Sequence, residues 1–176
     1  DLLVPRGGAD FIRFVSQNAS MPVLAGGVGV CHTYIDKAAD LDMAIRIASN
    51  AKIKRPTVCN ALDTLLVHSN VAPKFLPTLA QAWAGAGVEM RCDVRSLSIL
   101  EPNGYSEVTS ADSDDFGQEF LSLIAAIKVV DSLDEAVKHI ETHGSGHSEA
   151  IVTQDYGTAM SFLNDIDAAA VYVNAS

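Results

Sequence analysis

Ile127-Lys128-Val129-Val130 is a short apolar run, and Asp131-Ser132-Leu133-Asp134-Glu135-Ala136 turns it into a helix. Ser132 and Glu135 have capping-box spacing, each side chain satisfying an N–H that the first helical turn leaves unpaired. Leu133, Ala136, Val137 and Ile140 give the helix one apolar face, and Gly144 after His143 stops it. The same alternation of run and stripe extends upstream. Thr64 to His68 reads as a strand, and a helix follows from Ala72, with Pro73 tolerated in its first turn, Pro77 a local distortion and Gly85-Ala86-Gly87 its end. Val88 to Arg91 and Val30 to Ile35 are extended. Asp40 caps a helix to Asn50 on the stripe Leu41, Ala44, Ile45, Ala48. Downstream come a strand at Ala150 to Thr153, a helix at Asp155 to Leu163 and a last strand at Ala169 to Val173. Near the start, Asp1 to Val4 reads as a strand end, Pro5 to Gly8 as a turn, Phe11 to Gln17 as a helix and Val23-Leu24 as extended. Only Cys92 to Gly117 resists this reading. Its Pro102-Asn103-Gly104 turn signal and Asp112, Asp114 and Asp115 predict an exposed, variable loop. Strands alternating with helices predict an α/β fold on a largely parallel sheet.

Composition narrows the function classes. The chain has 176 residues, 48% of them hydrophobic, and carries 12 Lys+Arg against 22 Asp+Glu, a formal charge of -10. A surface this acidic repels phosphate backbones and anionic membranes, so neither nucleic acid nor a membrane is an expected partner. No apolar run approaches the ~20 residues that span a bilayer. Cys31, Cys59 and Cys92 are odd in number and widely spaced, with no zinc-binding pattern and no disulfide framework. A reducing cytoplasm is the expected location, and no metal is expected.

Chemistry concentrates around Cys59. Lys52, Lys54 and Arg55 lie just upstream of it in an acidic chain, and Pro56 ends the preceding helix and can open a new turn. Cations and backbone N–H groups at a helix start both favour thiolate, the nucleophilic form. The competing reading is a small buried core residue, the commonest fate of a free cysteine. Cys31 adjoins His32, but neighbours on a strand point to opposite faces, so the two are not expected to meet. Gly144-Ser145-Gly146-His147-Ser148 lacks the strained elbow of a serine nucleophile and reads as a helix-to-strand loop, with His147 a weaker site candidate. Pro5-Arg6-Gly7-Gly8 offers backbone amides to a phosphate, although a plain turn is the default.

These residues carry a resemblance. Asp1-Leu2-Leu3-Val4-Pro5-Arg6-Gly7-Gly8, Gly29-Val30-Cys31-His32, Arg55-Pro56-Thr57-Val58-Cys59-Asn60-Ala61 and Thr64-Leu65-Leu66-Val67-His68 occur here in order. Lys128 to Ala136, Gly144 to Ser148 and Ala170 to Ser176 follow. The chain resembles the glutamate-5-semialdehyde dehydrogenases, or gamma-glutamyl phosphate reductases, of the aldehyde dehydrogenase superfamily.

The resemblance implies a three-layer α/β/α catalytic domain at residues 34–176, with 1–33 the end of a nucleotide-binding domain, in a parent more than twice as long and homo-oligomeric. It implies that Cys59 attacks gamma-glutamyl phosphate and expels phosphate, leaving a thioester that NADPH reduces to glutamate-5-semialdehyde in proline synthesis. Arg6, Gly7 and Gly8 take the place of a turn near the cofactor, and Asn174 adjoins a segment returning to the active site. Lys54 and Arg55 are substrate or thiolate candidates on charge alone. Val23-Leu24-Ala25-Gly26-Gly27 sets Leu24 where hydrolytic relatives carry a glutamate base, consistent with a thioester shielded from water. Two other readings stay open: a non-catalytic packing or oligomerisation module, and a cysteine acyl-transferase or hydrolase using Cys59 with His68 or His147.

Overall fold

A computed structural model of the protein describes residues 1–176, apart from the side chains of Ala9 and Asn103. Six helices and seven strands follow one another as α1 (Ala9–Asn18), β1 (His32–Ile35), α2 (Leu41–Ile53), β2 (Thr64–His68), α3 (Ala72–Ala84), β3 (Glu89–Cys92), α4 (Val94–Leu100), β4 (Val108–Ser110), β5 (Ile124–Val130), α5 (Leu133–His143), β6 (Ser148–Val152), α6 (Tyr156–Asp165) and β7 (Ala170–Val173). The strands form one sheet in the order β4-β3-β5-β2-β1-β6-β7. Every pairing is parallel.

Alternation along each strand builds three layers, because successive side chains leave opposite faces of the sheet. Ile35, Leu65, Val67, Ile127 and Val129 point to one face and pack with Ala44 and Ala48 of α2, Phe75, Leu79 and Trp83 of α3 and Leu100 of α4. Tyr34, Leu66, Val130 and Ile151 point to the other and meet Ala136 and Ile140 of α5 and Phe162 of α6. Both faces are covered, as a parallel sheet requires.

Local signals behave as physics asks, with corrections. The Asp40 carboxylate accepts from Met43 N–H at 2.9 Å, and Ser132 Oγ accepts from Glu135 N–H at 3.1 Å. The second arm of the expected capping box is displaced: Glu135 Oε2 accepts from the N–H of Asp131, not Ser132. α3 runs on through Pro77, whose carbonyl accepts from the Tyr105 hydroxyl at 3.1 Å. Asp1 to Val4 contributes a single parallel bridge, Leu3 to Val23, and no strand.

The expectation of an exposed loop from Cys92 to Gly117 is overturned. Asp93 caps α4 through Ser96 N–H at 2.8 Å, Val108–Ser110 is the edge strand β4, and Ser113–Gly117 is a 3-10 turn. Asp115, read as a solvent-facing loop acid, is buried and binds Arg91 Nη1 at 2.6 Å. Because all strands run one way, the segments leading into β1, β2, β5 and β6 gather at one edge of the sheet. That edge carries the candidate site.

Candidate active site

Cys59 lies on the turn between α2 and β2, and its residue is exposed. Pro56 and Thr57 turn the chain after α2 ends, as the proline predicted, but the turn leads into β2 and not into a helix. The turn itself therefore opens no helix at the thiol. The turn faces a cleft of about 980 Å³, lined by Cys59 and Thr57, by Pro5 to Gly8, by Leu24 to Val28 and by Gly117 to Glu119. The structure thus brings Cys59, Arg6, Gly7, Gly8 and Leu24 to one cavity, although they are far apart in sequence.

The floor of the turn joins groups that sequence reading did not single out, Asp63 and Glu119, to Cys31 and Lys52 in roles other than those expected. The Gly29 Cα is so close to the Cys59 backbone that a Cβ there would overlap the Cys59 carbonyl oxygen. Gly29 N–H donates to Glu119 Oε1 at 3.2 Å. The Cys31 thiol donates to the Cys59 carbonyl at 3.2 Å. Below lies a buried ion pair. Lys52 Nζ is 3.9 Å from Asp63 Oδ1 and donates to the carbonyl of Leu62 at 2.6 Å. Asp63 accepts from Cys31 N–H at 3.3 Å and from Phe120 N–H at 3.1 Å. Burial disfavours the charged form of each group, pulling Lys52 down to about 8 and pushing Asp63 up to about 6. Lys52, expected as one of three cations beside the thiol, instead continues the buried Ala44, Ala48 stripe of α2 and pairs with Asp63.

The three cysteines separate clearly. Burial pushes the Cys31 and Cys92 thiols up to about 12, so both are held as unreactive thiols. Cys59 alone is open to the cleft. Cys31 and His32 do point apart: His32 Nδ1 pairs with Glu149 Oε2 at 3.0 Å, while the Cys31 sulfur lies 3.8 Å from His147 Nδ1.

The remaining candidates fall outside the cleft lining. Lys54 and Arg55 are exposed between α2 and the turn. Asn174, at a left-handed φ of 55°, uses its amide to hold both backbone groups of Thr153, at 3.0 and 2.9 Å. His147 engages Ser148 Oγ at 2.8 Å, and Ser145 Oγ accepts from Val30 N–H at 2.9 Å. His68 sits at the far end of β2 and accepts from Asn70 N–H. Among the described residues, neither histidine is hydrogen-bonded to Cys59. The same residues include no cluster of His, Cys, Asp and Glu able to hold a metal, and no helix is long and apolar enough to cross a membrane.

No family model matches the chain. It is 57% identical over 176 residues to the gamma-glutamyl phosphate reductase of Dehalococcoides mccartyi, all of this chain against 42% of that protein. The crystal structure of gamma-glutamyl phosphate reductase from Thermotoga maritima superposes with a TM-score of 0.93 at 47% identity, covering 99% of this chain and 41% of that one. Betaine aldehyde dehydrogenase from Staphylococcus aureus, solved in complex with NAD+, reaches a TM-score of 0.78 at 16% identity over 100% of this chain and 44% of its own. The fold is of the aldehyde dehydrogenase type. Along its whole length the sequence corresponds to about two-fifths of those curated reductases.

Proposed function

We propose that this chain is the cysteine-bearing portion of a gamma-glutamyl phosphate reductase, an oxidoreductase of proline biosynthesis that takes gamma-glutamyl phosphate to glutamate-5-semialdehyde with release of phosphate. The observation that carries the reading is the shared cleft. The one exposed cysteine faces Arg6, Gly7, Gly8 and Leu24 within a sequence 57% identical to curated reductases.

Cys59 is the nucleophile. Its thiolate attacks the acyl carbon of the mixed anhydride, the C–O bond to phosphate breaks, and a Cys59 thioester remains. Arg6 contributes positive charge to the cleft, and exposed Gly8 has no heavy atom within 4 Å of where a Cβ would stand. This open stretch of backbone at the start of α1 suits close approach of a phosphate-bearing cofactor. NADPH held there by Arg6, Gly7 and Gly8 would supply the hydride to the thioester carbonyl, after which the C–S bond breaks, releasing the aldehyde and returning the Cys59 thiol. Lys54 and Arg55 add local positive charge outside the cleft lining, and Asn174 shapes the end of β7 through Thr153. Leu24 lines the cleft where a water-activating carboxylate would waste the thioester. The one carboxylate among the described lining residues, Glu119, is engaged by Gly29 N–H.

In this reading the first segment belongs to the cofactor domain and the rest to the catalytic domain. The boundary expected between residues 33 and 34 falls inside β1 (His32–Ile35), whose full length pairs with β2 and β6, so the division is drawn ahead of His32. Leu2, Leu3, Val4, Phe11, Phe14, Met21, Leu24 and Val28 are all exposed large apolar residues. Their concentration in the first segment marks a surface suited to packing against a further part of the parent enzyme. The parent is a homo-oligomeric cytoplasmic enzyme in this reading.

The test is acylation. Incubation with an acyl phosphate followed by peptide mass spectrometry is expected to place the acyl group on Cys59 and to find none in Cys59→Ala. Acylation of Cys31 or Cys92 in its place, or no acylation, overturns the reading.

A further inference from the structure

We propose that Asp63 is the positioning residue of the Cys59 turn, a single buried carboxylate that fixes the two walls against which the turn is pressed. Asp63 is 2% exposed. Its Oδ2 takes the N–H of Cys31, on the segment whose Gly29 abuts the Cys59 backbone and whose thiol holds the Cys59 carbonyl. Its Oδ1 takes the N–H of Phe120, beside Glu119, which binds Gly29 N–H from the other side. Its counter-ion Lys52 holds the turn's exit at the Leu62 carbonyl. Segments from three parts of the sequence therefore converge on one side chain beneath the thiol.

An apolar contact would not substitute. A carboxylate presents an acceptor oxygen to each wall, whereas an amide presents an oxygen to one and an NH2 donor, which cannot accept an N–H, to the other. Burial of the charge is made tolerable by those two donors and by Lys52. Hydrogen bonds to a charged acceptor hold more strongly than neutral ones, which suits a clamp on segments that carry little other secondary structure. The relevance of Asp63 to catalysis rests on Cys59 being the nucleophile, but the clamp does not, and the measurement below reads the clamp alone.

The experiment is hydrogen exchange by peptide mass spectrometry on the full chain. The single substitution Asp63→Ala leaves Lys52 as an uncompensated buried charge and is liable to unfold, so the informative variant is Lys52→Met/Asp63→Ala, which carries no such charge. Loss of a charged acceptor exposes each bound N–H to exchange. Peptides covering 29–31 and 118–121 are expected to exchange faster by about tenfold or more. The 57–62 peptide follows them, while α3 and the interior of β5 keep their protection. In Lys52→Met/Asp63→Asn, the lone acceptor oxygen restores protection to one wall and not to both. Unchanged exchange at the two walls overturns the proposal. So does a rise of equal size in α3 and β5, which would make Asp63 a contributor to general stability only.

Discussion

Gly29 and Cys59 touch through their backbones: a Cβ at Gly29 would overlap the Cys59 carbonyl oxygen and lie 3.1 Å from the Cys59 Cβ. The contact leaves room for hydrogen and nothing larger. Gly29→Ala is therefore an overpacking change, and since the obstructing atom is backbone, the turn itself has to move. The expected cost is about 1–3 kcal/mol of stability, measured by urea unfolding. Acylation of Cys59 by an acyl phosphate should fall alongside it. An alanine variant as stable and as reactive as the parent would show that the turn relaxes freely.

Ser132 caps α5 through the N–H of Glu135. Ser132→Ala removes that acceptor and should lower stability by about 1 kcal/mol in urea unfolding. Glu135 does not compensate, because its carboxylate is committed to Asp131 N–H.

Much of this architecture was legible because the deciding interactions are local. The β2 limits Thr64 and His68, the Asp40 and Ser132 caps and the stop at Gly144 all depend on neighbours within a few residues. Residues 92–117 were misread because α4 is under two turns long and Asp115 takes its meaning from Arg91, 24 residues away. The site divides in the same way. Cys59 announced itself as a cysteine beside cations and a proline. Asp63, Glu119 and Gly29 did not, since the N–H partners of Asp63 lie 32 and 57 residues away and Gly29 and Glu119 are 90 apart.

Acid should destabilise the fold through His139. Its ring is buried against Phe116 and His32, and Lys128 Nζ lies 3.2 Å from its Nδ1. Burial, with the charges of His32, Lys128 and His143, pulls it from 6.5 down to about 2. The unfolded chain then binds a proton below 6.5 that the folded chain refuses. The contribution is complete above pH 6.5 and is lost as pH falls towards 2, at up to about 1.4 kcal/mol per pH unit. Asp63, raised by burial, has the opposite sign between about 4 and 6. The clean measurement is thus the stability of the parent minus that of His139→Leu, which cancels Asp63 and should fall as pH is lowered from 7 to 4. Parallel profiles would show that His139 is not the group titrating.

Leu24 offers a gain-of-function test of the thioester. It lines the same cleft as Cys59 with its side chain largely free, so a glutamate there meets no steric obstacle. A carboxylate in reach of water beside an acylated thiol can act as general base, a contribution that lies at about 10²-fold or above when well placed. Leu24→Glu is expected to acylate at Cys59 as the parent does, then lose the acyl group to water about 10²-fold faster, seen by following the acyl adduct by mass after removing acyl phosphate. Cys59→Ala/Leu24→Glu should carry no adduct at all. If Leu24→Glu holds its acyl group as long as the parent does, residue 24 does not control water at this thioester, and the exclusion of hydrolysis has to be sought elsewhere in the cleft.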